Sequence, residues 1–283
     1  MNGIILIDKP KDYTSRDIVN IVSKKLQTKK VGHTGTLDPL ATGLLVLCIG
    51  KTLKLSELLV STKKEYIATM TFGIETDTLD ITGNIVKRDF NHKKITTKDI
   101  ETVLKKYTGK IIQEVPKYSS VKVNGKKLYE YARKGEEVAL PKREVEIFNI
   151  EPLSEINNNT FTFKCTVSKG TYIRSLIRDI GVSLGTYATM SDLRRTKQGI
   201  FNIEDAYTLE DIENNNYKIL DAKDVLKLPK VIVDKNLEFK VKNGQVLTKF
   251  FEEDKAMIIN QNNELLAIYQ KKDDTYVKPY KML

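Results

Sequence analysis

The chain has 283 residues, with 47 Lys and Arg against 37 Asp and Glu, a net charge of +10 and 40% apolar residues. It is too long for one minimal domain and short for three, and it is apolar enough to bury a real core. The basic excess is spread along the chain, as on a folded surface that faces a polyanion or, equally, as in a protein that decorates every surface with lysine. Two cysteines and two histidines, His33 and His92, offer no cluster at zinc spacing, and no HxE or CxxC signature points to a zinc deaminase. The first apolar residues are interrupted at Asp8, Lys9 and Pro10, far short of a signal-peptide core, so a cytosolic protein is expected.

In chain order, residues 3–7 read as a short buried strand. Thr14 with Asp17 three residues later is a capping-box variant ahead of Ile18, Ile21, Val22 and Leu26 at helical spacing. Residues 31–47, VGHTGTLDPLATGLLVL, form a loop with three glycines and an Asp38-Pro39 step that runs into a buried strand. The longest uninterrupted apolar run of the chain, residues 44–49, cannot span a bilayer. Gly32, Gly35 and Gly43 permit close backbone approach or positive φ, and Pro39 fixes the turn behind the carboxylate. Gly50-Lys51-Thr52 imitates the end of a phosphate-binding loop, but Leu45 stands where that motif needs a glycine, so Lys51 and Thr52 are read as the start of a loop.

Residues 65–73 alternate as a half-buried strand, with Tyr66, Ala68, Met70 and Phe72 on one face. Residues 97–107 read as an amphipathic helix ended by Gly109. Residues 116–143 interleave Lys and Arg with Tyr118, Tyr129 and Tyr131 around an Asn124-Gly125 turn. That composition fits an exposed cationic surface for RNA and, as well, a solvated hairpin and helix over packed tyrosines. Residues 144–153 and 160–168 read as a hairpin, and helical spacing resumes after Gly170 until Gly185. From Leu228-Pro229 onward short strands and turns alone are expected, as a small β-barrel-like unit docked on the main body.

Taken singly, these residues have ordinary readings. An Asp before Pro is a turn former, a strand tyrosine is core, an arginine at a helix start is a phosphate contact or surface pair, and a lone histidine is structural. The segments IDKP at 7–10, GHTGTLDPLATGLL at 32–45 and SKGTYIRSLIRDIG at 168–181, however, resemble in order and spacing three motifs of the TruB-type tRNA pseudouridine synthases. PKYSSVKVNGKKLYEYARKGEEV resembles the RNA-gripping insertion of that family. The resemblance covers residues 1 to about 228, and the C-terminal segment is similar to the reduced PUA-like domain of bacterial members.

The resemblance implies an α+β pseudouridine synthase fold: a mixed, largely antiparallel sheet flanked by helices, with a small β-rich PUA-like domain. Residues 1–228 would be the catalytic domain, with the insertion at about 116–143, and residues 229–283 the RNA-binding domain. It implies isomerisation of the T-loop uridine of tRNA to pseudouridine(55) after base flipping, by one carboxylate, with no cofactor and no metal. Asp38 would be the nucleophile, and Arg174 the cation that keeps it charged. Tyr66 would stack on the base and is a candidate for the C5 proton. Tyr172 and Leu193 would line the pocket, His33 would fill the vacated stack, and Lys9 would support the pocket wall. The partner would be the tRNA T-arm, without a membrane, and the state monomeric. An RNA-folding factor that grips the T-arm would share the basic surface but not need Asp38, Arg174 and Tyr66. A guide-RNA-dependent relative would carry a fuller PUA domain and extensions. Removal of residues 229–283 is expected to weaken tRNA binding more than chemistry.

Overall fold

The computed structural model of the chain describes residues 1–60, 63–89 and 95–283. The N-terminal third runs β1 (Gly3–Lys9), α1 (Ser15–Lys25), β2 (Val31–His33), β3 (Thr42–Ile49), a 3₁₀ turn over Gly50–Leu55 and α2 (Ser56–Leu59). The reading of Lys51 and Thr52 as plain loop is thus replaced by a 3₁₀ turn, entered through a left-handed Gly50 (φ +64°). Next come β4 (Lys63–Phe72), a hairpin of β5 (Ile74–Thr76) and β6 (Ile85–Arg88), α3 (Thr97–Tyr107) and β7 (Gly109–Glu114). The insertion supplies β8 (Lys122–Val123), β9 (Lys126–Lys127) and α4 (Leu128–Lys134). Asn124 and Gly125 both have positive φ, as a two-residue turn matched to strand twist requires. The chain continues with β10 (Lys142–Pro152), β11 (Thr160–Ser168), α5 (Ile173–Ser183), β12 (Ala188–Gln198), β13 (Phe201–Asn202), α6 (Leu209–Glu213) and α7 (Ala222–Val225).

The main sheet has the order β1-β3-β12-β4-β11-β10-β7, with β2 also on β3 and β13 also on β12. Its pairs are antiparallel except at one seam, where Arg194 and Arg195 of β12 lie parallel to Thr42 and Gly43 of β3. Strands β1 and β3 are apolar at nearly every position because both faces of the sheet are covered there. Ile5, Ile7, Leu45 and Leu47 pack with α1, α3 and α5 in one core. Their neighbours Ile4, Leu6, Leu44, Val46 and Cys48 face a second core on the other side. Helices α1 and α3 begin in capping boxes, Thr14 with Asp17 and Thr96 with Asp99.

The C-terminal segment holds β14 (Lys230–Val233), α8 (Lys235–Lys242), β15 (Leu247–Thr248), β16 (Lys255–Asn260), β17 (Leu265–Lys271) and β18 (Tyr276–Met282). They form a five-stranded sheet ordered β14-β16-β17-β18-β15. The expectation of strands and turns alone fails at α8. Asp234 accepts from the Leu237 amide as a helix cap, and Val241 is buried on the inner face, while flanking lysines hide the short apolar period. Alternate residues of this sheet serve two cores. Met257, Ile259 and Ile268 join the core behind β1 and β3, whereas Ala256, Ile258, Ala267 and Tyr269 close a core of their own. Glu57, in α2, accepts from the Tyr280 hydroxyl at 2.6 Å and pairs with Lys281 at 2.8 Å.

Candidate active site

The loop between β2 and β3 carries Asp38 and is clamped on both sides of it. Ser15, the first residue of α1, donates its hydroxyl to the Leu37 carbonyl and accepts from the Leu37 amide, at 3.0 and 2.8 Å. The Pro39 carbonyl accepts from the Asp12 amide (2.9 Å) and from Lys9 Nζ (3.3 Å). Lys9 is fully buried, and its ammonium also donates to the carbonyls of Pro10 and Tyr13. Burial lowers its pKa to about 8, against the pull of Asp38. Lys9 therefore supports the wall behind the carboxylate and does not line the cleft.

Arg174, on the first turn of α5, places Nε 2.9 Å from Asp38 Oδ2. Its other nitrogens donate to the carbonyls of Thr78 (2.8 Å) and Tyr118 (3.0 Å), and Nη1 lies 3.8 Å from Asp80 Oδ2. A cation at a helix N-terminus opposes the helix dipole, and α5 has no acid in its first turn. Two carboxylates from other elements supply the compensation. Asp80 is buried and is itself held by the hydroxyls of Thr78 and Thr82 and the Thr82 amide.

These groups open on a cleft of about 690 Å³ lined by His33, Asp38, Tyr66, Tyr172, Arg174 and Leu193, among others. Six of the seven residues singled out from the sequence thus meet in one place. Tyr66, from β4, is buried, and desolvation raises its phenol pKa while Arg195 pulls it down. Leu193, on β12, sits opposite Ala68, next to a break in strand register after Met190. Tyr172 caps α5 through its backbone: its amide donates to Gln113 Oε1 (2.8 Å) and its carbonyl accepts from Gln113 Nε2 (3.1 Å). The Arg143 guanidinium lies over its ring at 5.6 Å. His33 ends β2 with a buried Nδ1 that has no partner among the described residues. Burial first, and Arg16 and Arg195 after it, hold its ring below the ordinary histidine range.

The insertion forms the far wall. Tyr118 and Ser119 lead into it, and Tyr129 of α4 faces the cleft between Lys127 and Arg133, whose charges lie 5.4 and 5.3 Å from its ring. Asp80, Gln113 and Arg195 were missed in the sequence. Asp80 carried the only available signal, a Thr-x-Asp-x-Thr spacing typical of a self-bonded turn, whereas the partners of Gln113 and Arg195 are remote in the chain. Among the described residues no cluster of His, Cys, Asp and Glu is placed to hold a metal ion, and His92 lies outside them. No helix among them is long and apolar enough to cross a membrane.

A carboxylate clamped at both shoulders, paired to a buried guanidinium and facing an open cleft that tyrosines line, defines the active site of an α+β enzyme. Residues 23–173 match the model of the TruB family pseudouridylate synthase N-terminal domain, and residues 174–234 that of the tRNA pseudouridylate synthase B C-terminal domain. A tRNA pseudouridine synthase B of Bacillus cytotoxicus is 42% identical, with 100% of this chain and 97% of the relative covered. The protein of that name from Caldicellulosiruptor saccharolyticus is 47% identical over 88% of this chain and 84% of its own. Among solved structures, a Cbf5-Nop10-Gar1 complex aligns with a TM-score of 0.71 at 27% identity, over 99% of this chain and 84% of that one. An H/ACA ribonucleoprotein bound to a substrate RNA containing 2′-deoxyuridine aligns at 0.70 and 27%. The chain belongs to the TruB family of pseudouridylate synthases.

Proposed function

We propose that this chain isomerises the T-loop uridine of tRNA to pseudouridine, acting as a monomer on the T-arm without a guide RNA. The single observation that carries the reading is the Asp38–Arg174 contact of 2.9 Å at the floor of the cleft. The reaction balances within one nucleoside: the N1–C1′ bond breaks, the C5–C1′ bond forms, C5 loses a proton and N1 gains one. Asp38 is the reacting carboxylate, and Arg174 holds it charged and oriented. Tyr66, facing the base, is placed to stack on it and to take the C5 proton. Tyr172 and Leu193 pack around the flipped base, and the neutral ring of His33 enters the gap it leaves.

Residues 1–228 are assigned the chemistry, and residues 229–283 are assigned a share of the RNA surface. The second sheet begins near this division, at Lys230. Relatives that match over nearly their whole length are named for tRNA, which favours direct recognition over a guided complex. The test is conversion of a T-arm stem-loop by the purified chain alone, read as pseudouridine by mass spectrometry of nuclease digests. Product with wild type and none with Asp38→Asn is expected. Product that appears only when a guide RNA and partner proteins are added would overturn the direct reading.

A further inference from the structure

Arg195 is the largest fully buried side chain among the described residues. The other arginines of α5 and β12 have carboxylate partners: Arg174 has Asp38 and Asp80, Arg178 has Glu114 and Asp179, and Arg194 has Asp8. Arg195 has none among the described residues. A buried cation without a counter-charge is held against a large desolvation cost, and a hydrophobic residue of the same volume would be more stable in its place. The side chain is spent instead on the nucleophile loop. Nε donates to the Leu44 carbonyl at 2.7 Å, Nη2 to Gly35 at 3.0 Å and Nη1 to Thr36 at 3.5 Å. These carbonyls flank Asp38 on both sides in sequence.

The backbone of Arg195 adds to the grip. It lies parallel to Gly43, whose φ of +97° brings it so close that any side chain there would strike the Arg195 peptide. Three residues on, Gln198 Nε2 donates to the Thr34 hydroxyl at 2.6 Å. Arg195 also stands directly opposite Tyr66 in the register of β12 with β4, where its charge opposes the effect of burial on the phenol. The break in register with β4 between Arg195 and Lys197 re-aims the strand at this point.

We propose that Arg195 is a positioning residue that ties the Asp38 loop and the Tyr66 phenol to one buried guanidinium. This rests on the reading of Asp38 and Tyr66 as the reacting groups. It goes beyond that reading, since Arg195 does not line the cleft and touches neither base nor ribose. Paired across the strands with Tyr66, the Arg195 charge favours negative charge on the phenol oxygen when the ring meets a proton donor. The groups that face Tyr66 are Arg195 from β12, the buried Cys165 thiol from β11 and Asp38 from the loop. Of these only Arg195 favours the phenolate.

The test compares wild type, Arg195→Lys and Arg195→Gln, labelled with 3-fluorotyrosine, without RNA. The Tyr66 fluorine resonance is assigned by its loss in Tyr66→Phe and followed with pH. Its midpoint is expected to rise by about one pH unit or more in Arg195→Gln and by less in Arg195→Lys. A midpoint unmoved in both variants overturns the proposal, and if Arg195→Gln fails to fold, Arg195→Lys decides alone. In parallel, the single-turnover rate on T-arm RNA is expected to fall about tenfold or more with RNA affinity held within about threefold. In a Tyr66→Phe background a smaller fall is expected, carried by the Asp38 loop alone; an undiminished fall, or none, would leave one of the two ties without effect and overturn the proposal. If wild type itself leaves the RNA unchanged, the proposed function fails, while the fluorine titration still decides the role of Arg195.

Discussion

The floor of the cleft and its far wall are both cationic, and they use charge in opposite ways. At the floor Arg174, and behind it Arg195 and Lys9, are buried, and each is bonded to carbonyls of segments that meet at Asp38. On the wall, Lys126, Lys127 and Arg133 ride over the faces of Tyr131 and Tyr129, in contact with solvent. Buried cations fix geometry because leaving their bonds unmade is costly, whereas exposed ones are screened and supply attraction without position. The floor is therefore assigned to chemistry and the wall to grip.

The largest effect expected short of removing Asp38 comes from Arg174→Met, which leaves two carboxylates facing each other without their cation. The single-turnover rate should fall by about 10²–10³ with T-arm affinity nearly unchanged. A loss of affinity with an intact rate would move Arg174 from the floor to the wall. Next is truncation after residue 228. It uncovers the faces of Ile4, Leu6, Leu44, Val46 and Cys48 that now pack on Met257, Ile259 and Ile268. At about 1.5–3 kcal/mol for each large side chain exposed, the catalytic part should lose most of its stability. The sequence alone suggested a mainly RNA-binding deficit; the shared core predicts unfolding, read by denaturant titration, and an undiminished midpoint would refute it.

A smaller effect is expected on the wall. Lys127→Ser with Arg133→Ser should weaken binding by about tenfold at moderate salt and flatten the dependence of affinity on salt, with the rate at saturation unchanged. An unchanged salt slope would remove these residues from the phosphate contacts. The smallest concerns His33, whose folded ring sits below its ordinary value of 6.5. As pH falls below that value the unfolded chain binds the proton first, so the native state should lose stability relative to His33→Gln, and lose no more once pH is below the folded value. Urea midpoints at several pH values check this, and a gain on acidification would mean that the protonated ring has a partner.

Local signals were legible before folding was considered. Thr14-x-x-Asp17 announced α1, the alternation of Phe161, Phe163, Cys165 and Val167 announced β11, and Asn124-Gly125 announced a two-residue turn. Motif resemblance then brought Asp38, Arg174 and Tyr66 together, though they lie far apart in sequence. Strand β12 escaped. Its DLRRTK run carries no strand alternation, yet it is central in the sheet, because Arg195 finds acceptors in a loop about 160 residues away and two register breaks scramble the pattern. Gln113 and Asp80 escaped because the groups that give them meaning, the Tyr172 backbone and the Arg174 guanidinium, are brought near only by the fold. Helix α8 was hidden by lysines that flank a single buried valine.

The central claim is that Asp38 does chemistry and does not grip RNA. It is tested most directly by tritium release from T-arm RNA carrying 5-tritiated uridine, measured for wild type and Asp38→Ala at equal bound RNA. Release by wild type and none by Asp38→Ala, with affinities within about threefold of each other, is the result predicted. Undiminished release by Asp38→Ala, or a loss that disappears once binding is matched, would contradict it.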